Sequence, residues 1–261
     1  MKKSPTIKTL ITVGAGNVAW HLTLGLYHSG VRVLQVCAPR WEHAEALAGK
    51  VGALPVTHCG EINPHADLYL LAVPDGEVPK VAAGLPDING LVCHTSGITP
   101  LDVLKRFENH GVFYPLQTFS KNRKVVLSVV PFCVEGSSAA VLKQLQQLAA
   151  RLSTRVQEIP SGQRTQLHLA AVLVNNFSNH LFDEAENYLK ENGLDRSLLL
   201  PLLRETVNKL QELPAREAQT GPARRGDLKT IARHLEMLQD KPELKKIYQL
   251  FSQQILKKYH E

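Results

Sequence analysis

Two groups of residues in this chain are of a type and spacing that could do chemistry. The first is Gly14-Ala15-Gly16-Asn17-Val18-Ala19, directly after the apolar run from Ile7 to Val13. Gly14 permits a tight turn off a strand, Gly16 lets backbone approach a pyrophosphate, and Ala19 keeps the third position small enough for close helix–strand packing. A helix starting at Asn17 and Val18 would aim its free amides and positive dipole end at the phosphates. The same residues would also serve as an ordinary glycine turn. The context favours the dinucleotide reading: a helical pattern follows, ends at Ser29-Gly30, and leads into a second apolar run from Val31 to Cys37, which completes a βαβ unit.

Where that second run ends, an acidic residue would bind a ribose 2′-hydroxyl and an arginine would accommodate a 2′-phosphate. The segment is Val36-Cys37-Ala38-Pro39-Arg40-Trp41, with no acid. Arg40 offers a planar fork for phosphate, and Arg40 or Trp41 could cover an adenine face. The missing acid is the stronger half of this argument for NADP, because Arg40 could also be a solvated loop residue.

The second group lies between Gln163 and Asn192, a stretch without glycine or proline that reads as one long helix, apolar nearly all round from Leu167 to Val174. His168, Asn176 and Asn179 share one stripe with Val172, at spacings of four, four and three. Buried amides without partners cost about 1 to 3 kcal/mol each. The stripe therefore either faces a ligand cleft or belongs to a structural hydrogen-bond network between helices. Histidine suits proton transfer because imidazole titrates near neutrality. Ser96, in the loop after the apolar run Gly90–His94, could orient the oxygen or nitrogen being reduced, with Gln117 and Thr118 as weaker candidates. A third segment, Ala218 to Asp227, offers the Thr220 hydroxyl and an Arg224 or Arg225 clamp for a carboxylate. It reads equally as a loop with Asp227 as a helix N-cap.

The elements that must position these residues follow from pattern. Further strands are expected at Ala66–Val73, 111–114, 128–134 and 154–159, with a helix from Ser137 to Arg151. The end of the Ala66–Val73 strand, with Val73 and Pro74, is expected to face the cofactor, since open α/β sheets bind ligands beyond the carboxyl ends of their strands. After Pro160-Ser161-Gly162 only helices follow, at about 195–213, 227–239 and 241–258. The change predicts a Rossmann-type α/β domain over 1–158 and an all-α domain over 159–261.

Composition agrees. The 261 residues, 44% hydrophobic, can bury a proper core, and the net charge of +6 suits an anionic cofactor and substrate. The positive residues are scattered, with no nucleic-acid-reading motif. No long apolar span or leader is evident, so a soluble, cytoplasmic protein is expected. Cys37, Cys59, Cys93 and Cys133 lack metal-type spacing and read as reduced, mostly core residues; no metal site is expected.

Several strings in one order resemble a known group: Gly14 to Leu22, Ala72-Val73-Pro74-Asp75, His94-Thr95-Ser96-Gly97, Tyr114 to Ser120, Asn175 to His180, and Ala218 to Asp227. The resemblance is to a small bacterial family of Rossmann-like proteins classed as NADP oxidoreductases, with a C-terminal helical domain of unknown function. More distantly, the arrangement is similar to β-hydroxyacid dehydrogenases, pyrroline-5-carboxylate reductase, ketopantoate reductase and prephenate dehydrogenase. The resemblance implies a substrate held between the two domains. In β-hydroxyacid dehydrogenases a catalytic lysine precedes an asparagine by one turn. Here alignment on Asn176 leaves Val172 at the lysine position, and His168, one turn earlier, takes its place as the candidate.

The expected function is NADP-dependent hydride transfer to or from a small, carboxylate-bearing substrate. Two alternatives stay open. One is an NADP-binding sensor without turnover, motivated by the absent lysine; the other is a reductase exchanging hydride with a flavin or deazaflavin. Four helices, one apolar nearly all round, predict a two-fold homodimer built mainly from the helical domain.

Overall fold

The structure is a computed structural model that describes residues 7–260. It divides into two compact units that part between Asn176 and Phe177.

The first unit holds eight strands: β1 (Thr9–Val13), β2 (Arg32–Cys37), β3 (Leu54–Val56), β4 (Leu68–Leu71), β5 (Leu91–His94), β6 (His110–Pro115), β7 (Phe132–Gly136) and β8 (Val156–Glu158). They form one sheet in the order β3-β2-β1-β4-β5-β6-β7-β8. Strands β1 to β6 run parallel; β7 pairs antiparallel with β6, and β8 runs parallel to β7. Chain order reverses between β1 and β4, which makes a switch-point crevice beside the first glycine turn. The fold is the Rossmann-type α/β sheet expected, followed by helices. Strand β3 gave no usable apolar signal, being three residues with a central proline.

Helices α1 (Asn17–His28), α2 (Trp41–Val51), α3 (Val78–Gly84) and α4 (Ala139–Ala149) cover the sheet. The strand period of two divides the core between its faces. Along β4, Leu68 and Leu70 join a cluster with Leu22 and Leu26 of α1 and Leu145 of α4, whereas Tyr69 and Leu71 join one with Val78 and Ala82 of α3. Along β6 the same alternation sends Phe113 to the first cluster. It turns Val112 and Tyr114 toward a small third cluster with Cys133, Ile159 and Leu167.

That third cluster fixes the start of the long helix. Helix α5 (Ser161–Ala171) packs Leu167 on it, so the compact unit runs on to Asn176, past the change of pattern near residue 159. Residues Val172–Phe177 then form a π turn before α6 (Ser178–Glu191) begins. The expected uninterrupted α-helix is thus corrected: the ladder carries a π turn, a feature frequent at functional sites.

The second unit continues with α7 (Leu200–Glu212), the short α8 (Ala215–Ala218) and α9 (Pro222–Arg225), α10 (Leu228–Met237) and α11 (Pro242–His260). Its helices bury little. Among the described residues of this unit the buried ones are Ala223, Ile231, Leu238 and Ser252, while Leu198, Leu202, Leu228 and Met237 are each more than half exposed. Among the described residues, no helix is long and apolar enough to cross a membrane.

Candidate functional site

The carboxyl ends of the parallel strands carry the loops that matter. After β1, Gly14 has φ +111°, and a β-carbon there would overlap the Ala72 carbonyl at the end of β4. Glycine is therefore required twice, by conformation and by the close approach of two strand ends. The backbone is tied across the same point by Gly14 N–H to Cys37 O (2.8 Å) and Ala72 N–H to Val13 O (2.7 Å).

Gly16 differs. It is the N-cap of α1, has no side chain to cap the helix, and nothing lies within 4 Å of where its β-carbon would be. The first turn of α1 holds no acid. Open space above Gly16 thus meets a helix start with unclaimed amides, an arrangement suited to an anion. Asn17 turns aside, its Oδ1 accepting from Lys121 N–H (3.2 Å), while Val18 packs partly against the core. His21 Nε2 meets the Ser120 carbonyl (2.9 Å), so the loop after β6 is pinned along α1. Arg40, exposed after β2, is the N-cap of α2. Val73 is half-buried and Pro74 exposed after β4, where a 3₁₀ turn starts at Asp75.

The second constellation is built around His168. Its Nδ1 lies 3.0 Å from the Tyr114 hydroxyl, with the rings edge to face at 6.0 Å. Gly97 backs the pair: a β-carbon on it would come within 2.5 Å of His168 Nδ1 and 3.0 Å of Tyr114 Cζ. Burial pushes the Tyr114 phenol up to about 12, helped by Cys133 and Asp75 and opposed by Arg164. The phenol is therefore protonated and available as a donor.

One turn before His168, Arg164 is completely buried. It donates from Nη1 to Glu135 Oε2 on β7 (2.5 Å) and from Nη2 to the Thr99 carbonyl (2.6 Å) and Ser161 Oγ (3.1 Å). Ser161 donates to the same carboxylate (2.7 Å) and accepts from Leu101 N–H (3.0 Å). This network holds the start of α5 to both β7 and the loop after β5, and so sets His168 against Tyr114. Ser96 supports that loop: its Oγ accepts from Thr99 N–H (2.9 Å) and Ile98 N–H (3.2 Å). His94 Nδ1 accepts from Ser96 N–H (3.2 Å), and its Nε2 is buried with no well-aligned hydrogen-bond partner among the described residues.

A cleft of about 390 Å³ opens beside the pair, lined by Tyr114, His168, Gln117, Thr118, Asn175 and Asn176 with apolar neighbours such as Leu116 and Val172. The π turn explains how Asn176 reaches it. At about 100° per residue, eight α-helical steps would leave Asn176 roughly 80° round from His168; the slower winding of a π turn brings it back over that residue.

The structure thus gathers His168, Asn176 and Gln117 on one cleft, with Ser96 behind it in the loop. Gln117 Oε1 accepts from Thr118 N–H (2.8 Å). The remaining candidates belong to the second unit. Asn179 is exposed on the first turn of α6. Thr220 is exposed, and Gly221 next to it has φ +104°. The Arg224 guanidinium lies 4.3 Å from the centroid of the Tyr259 ring, and Arg225 is exposed. Asp227 caps α10, its Oδ1 accepting from Thr230 N–H (3.1 Å), so the capping reading of that residue holds.

Tyr114, Gly97, Arg164 and Glu135 were not among the candidates. Arg164 could have been found from its place four residues before His168, on the same helical face. Glu135 had no local signal, because it meets Arg164 only across the sheet.

Residues 3–119 match a Rossmann-like domain, and residues 130–255 match a domain of unknown function, DUF2520. A crystal structure of "putative NADP oxidoreductase BF3122" from Bacteroides fragilis is 39% identical, over 96% of this chain and 98% of that one, with a TM-score of 0.90. The chain belongs to this Rossmann-like DUF2520 family. Pyrroline-5-carboxylate reductase from Streptococcus pyogenes (13% identity, 95% of this chain and 98% of that chain, TM-score 0.62) shares the fold. So does an imine reductase from Myxococcus stipitatus in complex with NADP+ (13% identity, 96% and 93%, TM-score 0.62). No curated protein matches the sequence.

Proposed function

We propose that this DUF2520 family member is an NADP-dependent oxidoreductase acting on a small substrate in the cleft beside His168. The observation that carries the reading is a histidine, held by Tyr114 and Gly97, at a cleft in the same unit as an open glycine turn. The name of the Bacteroides fragilis relative supports the reaction class and the cofactor.

The residues fit a dinucleotide. Gly14, Gly16, Asn17 and Val18 would hold the pyrophosphate at the start of α1, Val73 and Pro74 would border it after β4, and Arg40 would take the 2′-phosphate. When bound, the nicotinamide supplies a hydride, so a C=O or C=N acceptor needs one further proton to become an alcohol or amine. His168 handles that proton, and Asn176 orients the reacting atom. Ser96 acts through its loop, by holding Gly97 against the pair. No lysine or arginine lines the cleft itself; the candidates for recognising a carboxylate, Arg224, Arg225, Thr220 and Asn179, belong to the second unit. The free thiols of Cys37, Cys59, Cys93 and Cys133 support a cytoplasmic place.

A homodimer is part of the proposal. A helical unit that buries three apolar residues among those described has a small core of its own, and its exposed leucines on several helices need permanent cover. A second copy is the one partner always present in equal amount. Light scattering at micromolar concentration is expected to give a dimer, and a stable monomer overturns this part.

The test is NADPH oxidation by purified protein with a panel of 2-oxo acids, cyclic imines, flavin and deazaflavin. The expected outcome is turnover of a carbonyl or imine, reduced by about 10² to 10⁴ in His168→Ala with NADPH affinity nearly unchanged. Tight NADPH binding with no turnover across the panel would mark a sensor, and turnover of flavin alone a flavin-linked reductase.

A further inference from the structure

The Tyr114–His168 contact carries information about which ring nitrogen holds the proton. Tyr114 is buried, and among the described residues His168 Nδ1 is the hydrogen-bond partner of its hydroxyl, at 3.0 Å. A phenol brings one proton, and buried donors nearly always find an acceptor. If Nδ1 carried a proton, it would donate to the phenol oxygen and leave the phenol proton without a protein acceptor. With the phenol pushed up to about 12, escape as phenolate is closed as well. Gly97 leaves the room in which the two rings meet, since a β-carbon on it would come within 2.5 Å of His168 Nδ1 and 3.0 Å of Tyr114 Cζ.

We propose that Tyr114 is a positioning residue: it donates to Nδ1 and thereby sets the Nε2–H tautomer of the uncharged His168 ring, so that His168 presents a hydrogen-bond donor to the cleft. Nε2 has no protein partner among the described residues, while the ring lines the cleft. The ligand atom that such a nitrogen recognises is one with lone pairs and no proton, a carbonyl oxygen or an imine nitrogen. An uncharged imidazole donating in this way polarises the C=X bond without first giving up its proton. The site is then prepared for reduction. This last step rests on the oxidoreductase reading, whereas the tautomer itself does not.

The test is selective ¹⁵N-histidine labelling of the full chain, measured without cofactor, with the His168 signals identified by their loss in His168→Gln. The expected spectrum shows a protonated Nε2 and an unprotonated Nδ1 displaced by an accepted hydrogen bond. In Tyr114→Phe the Nδ1 signal should move to the position of a free acceptor, and Gly97→Ala, which separates the rings without removing the phenol, should do the same. A proton on Nδ1 in the parent protein, or ring-nitrogen signals unmoved in both variants, overturns the proposal. With NADPH and a turned-over carbonyl or imine, Tyr114→Phe should lower kcat by about tenfold or more and leave the KM for NADPH unchanged. An unchanged kcat overturns the role in reduction while leaving the tautomer standing. Failure of all turnover in the parent protein counts against the oxidoreductase reading alone, because the spectra need no reaction.

Discussion

Gly97 and His168 touch so closely that a β-carbon on Gly97 would lie 2.5 Å from the ring Nδ1 and 2.8 Å from Cγ. The glycine has no positive φ, so the requirement is for space and not for backbone conformation. The ring is tied in place by its contact with the Tyr114 hydroxyl, so room for a β-carbon comes at the expense of that contact. Gly97→Ala is therefore expected to part the two rings and to cost about 1 to 3 kcal/mol, the usual range for overpacking. Denaturant unfolding and turnover of the same variant check this together. A parent-like midpoint with parent-like turnover would show that the contact is looser than described.

Arg164 offers a second check. Its guanidinium is wholly buried, meets Glu135, Thr99 and Ser161, and its Nε has no partner among the described residues. Removing either member of the ion pair leaves the other charge in a poorly solvated site. Arg164→Ala and Glu135→Gln are each expected to lose about 3 to 5 kcal/mol in urea unfolding. The double variant should lose clearly less than the sum, since the two side chains share one network. Strict additivity would remove the ion pair as the anchor of α5.

His94 makes stability depend on pH. Burial first, and then the nearby Arg164 charge, push its imidazole down from 6.5 to about 4. The unfolded chain takes up this proton near pH 6.5, the folded chain only near pH 4. Between those values the unfolded state binds more protons, so stability falls as the pH is lowered, and His94 destabilises nothing above the window. Asp67 acts lower down. Burial opposes its ionisation, but hydrogen bonds from the Lys8 and Thr9 amides and the Thr9 hydroxyl outweigh this and hold the carboxyl below its usual range. His94→Gln is expected to flatten the stability profile between pH 4 and 6.5 and to leave the more acidic limb. Urea midpoints across that range decide it, and an unchanged slope would assign the effect elsewhere.

Arg40 should set cofactor choice. It is exposed after β2, and the β2–α2 link from Ala38 to Arg40 holds no acid. A charge-assisted pair contributes about 1.5 to 3 kcal/mol, so NADPH is expected to bind roughly ten to several hundred times more tightly than NADH. Arg40→Ala should shrink that gap with little effect on NADH. Calorimetry that finds equal affinities in the parent protein would sink the assignment.

Much of the fold was legible from local pattern. The glycine turn, the continuous apolar strands and the loss of glycine and proline after residue 162 are short-range features, and short-range features are what sequence periodicity records. They placed β1, β2, β4, β5 and the long helix, and they named His168 and Asn176. The antiparallel β7, the three-residue β3 and the division of the compact units were not recorded there, since each depends on which segments meet across the sheet.

The site divides along the same line. Sequence by itself determined that His168 and Asn176 lie in one helical run and that a glycine-rich turn precedes another helix. Only the tertiary structure decided what His168 meets. Tyr114 reaches it because β6 alternates and turns that ring toward α5, Gly97 because the loop after β5 folds back on the Ser96 hydroxyl, and Arg164 because Glu135 waits on β7. The π turn was equally out of reach. Asn176 returns over His168 through one slower turn of helix, a change that no count of residues at 3.6 per turn would show.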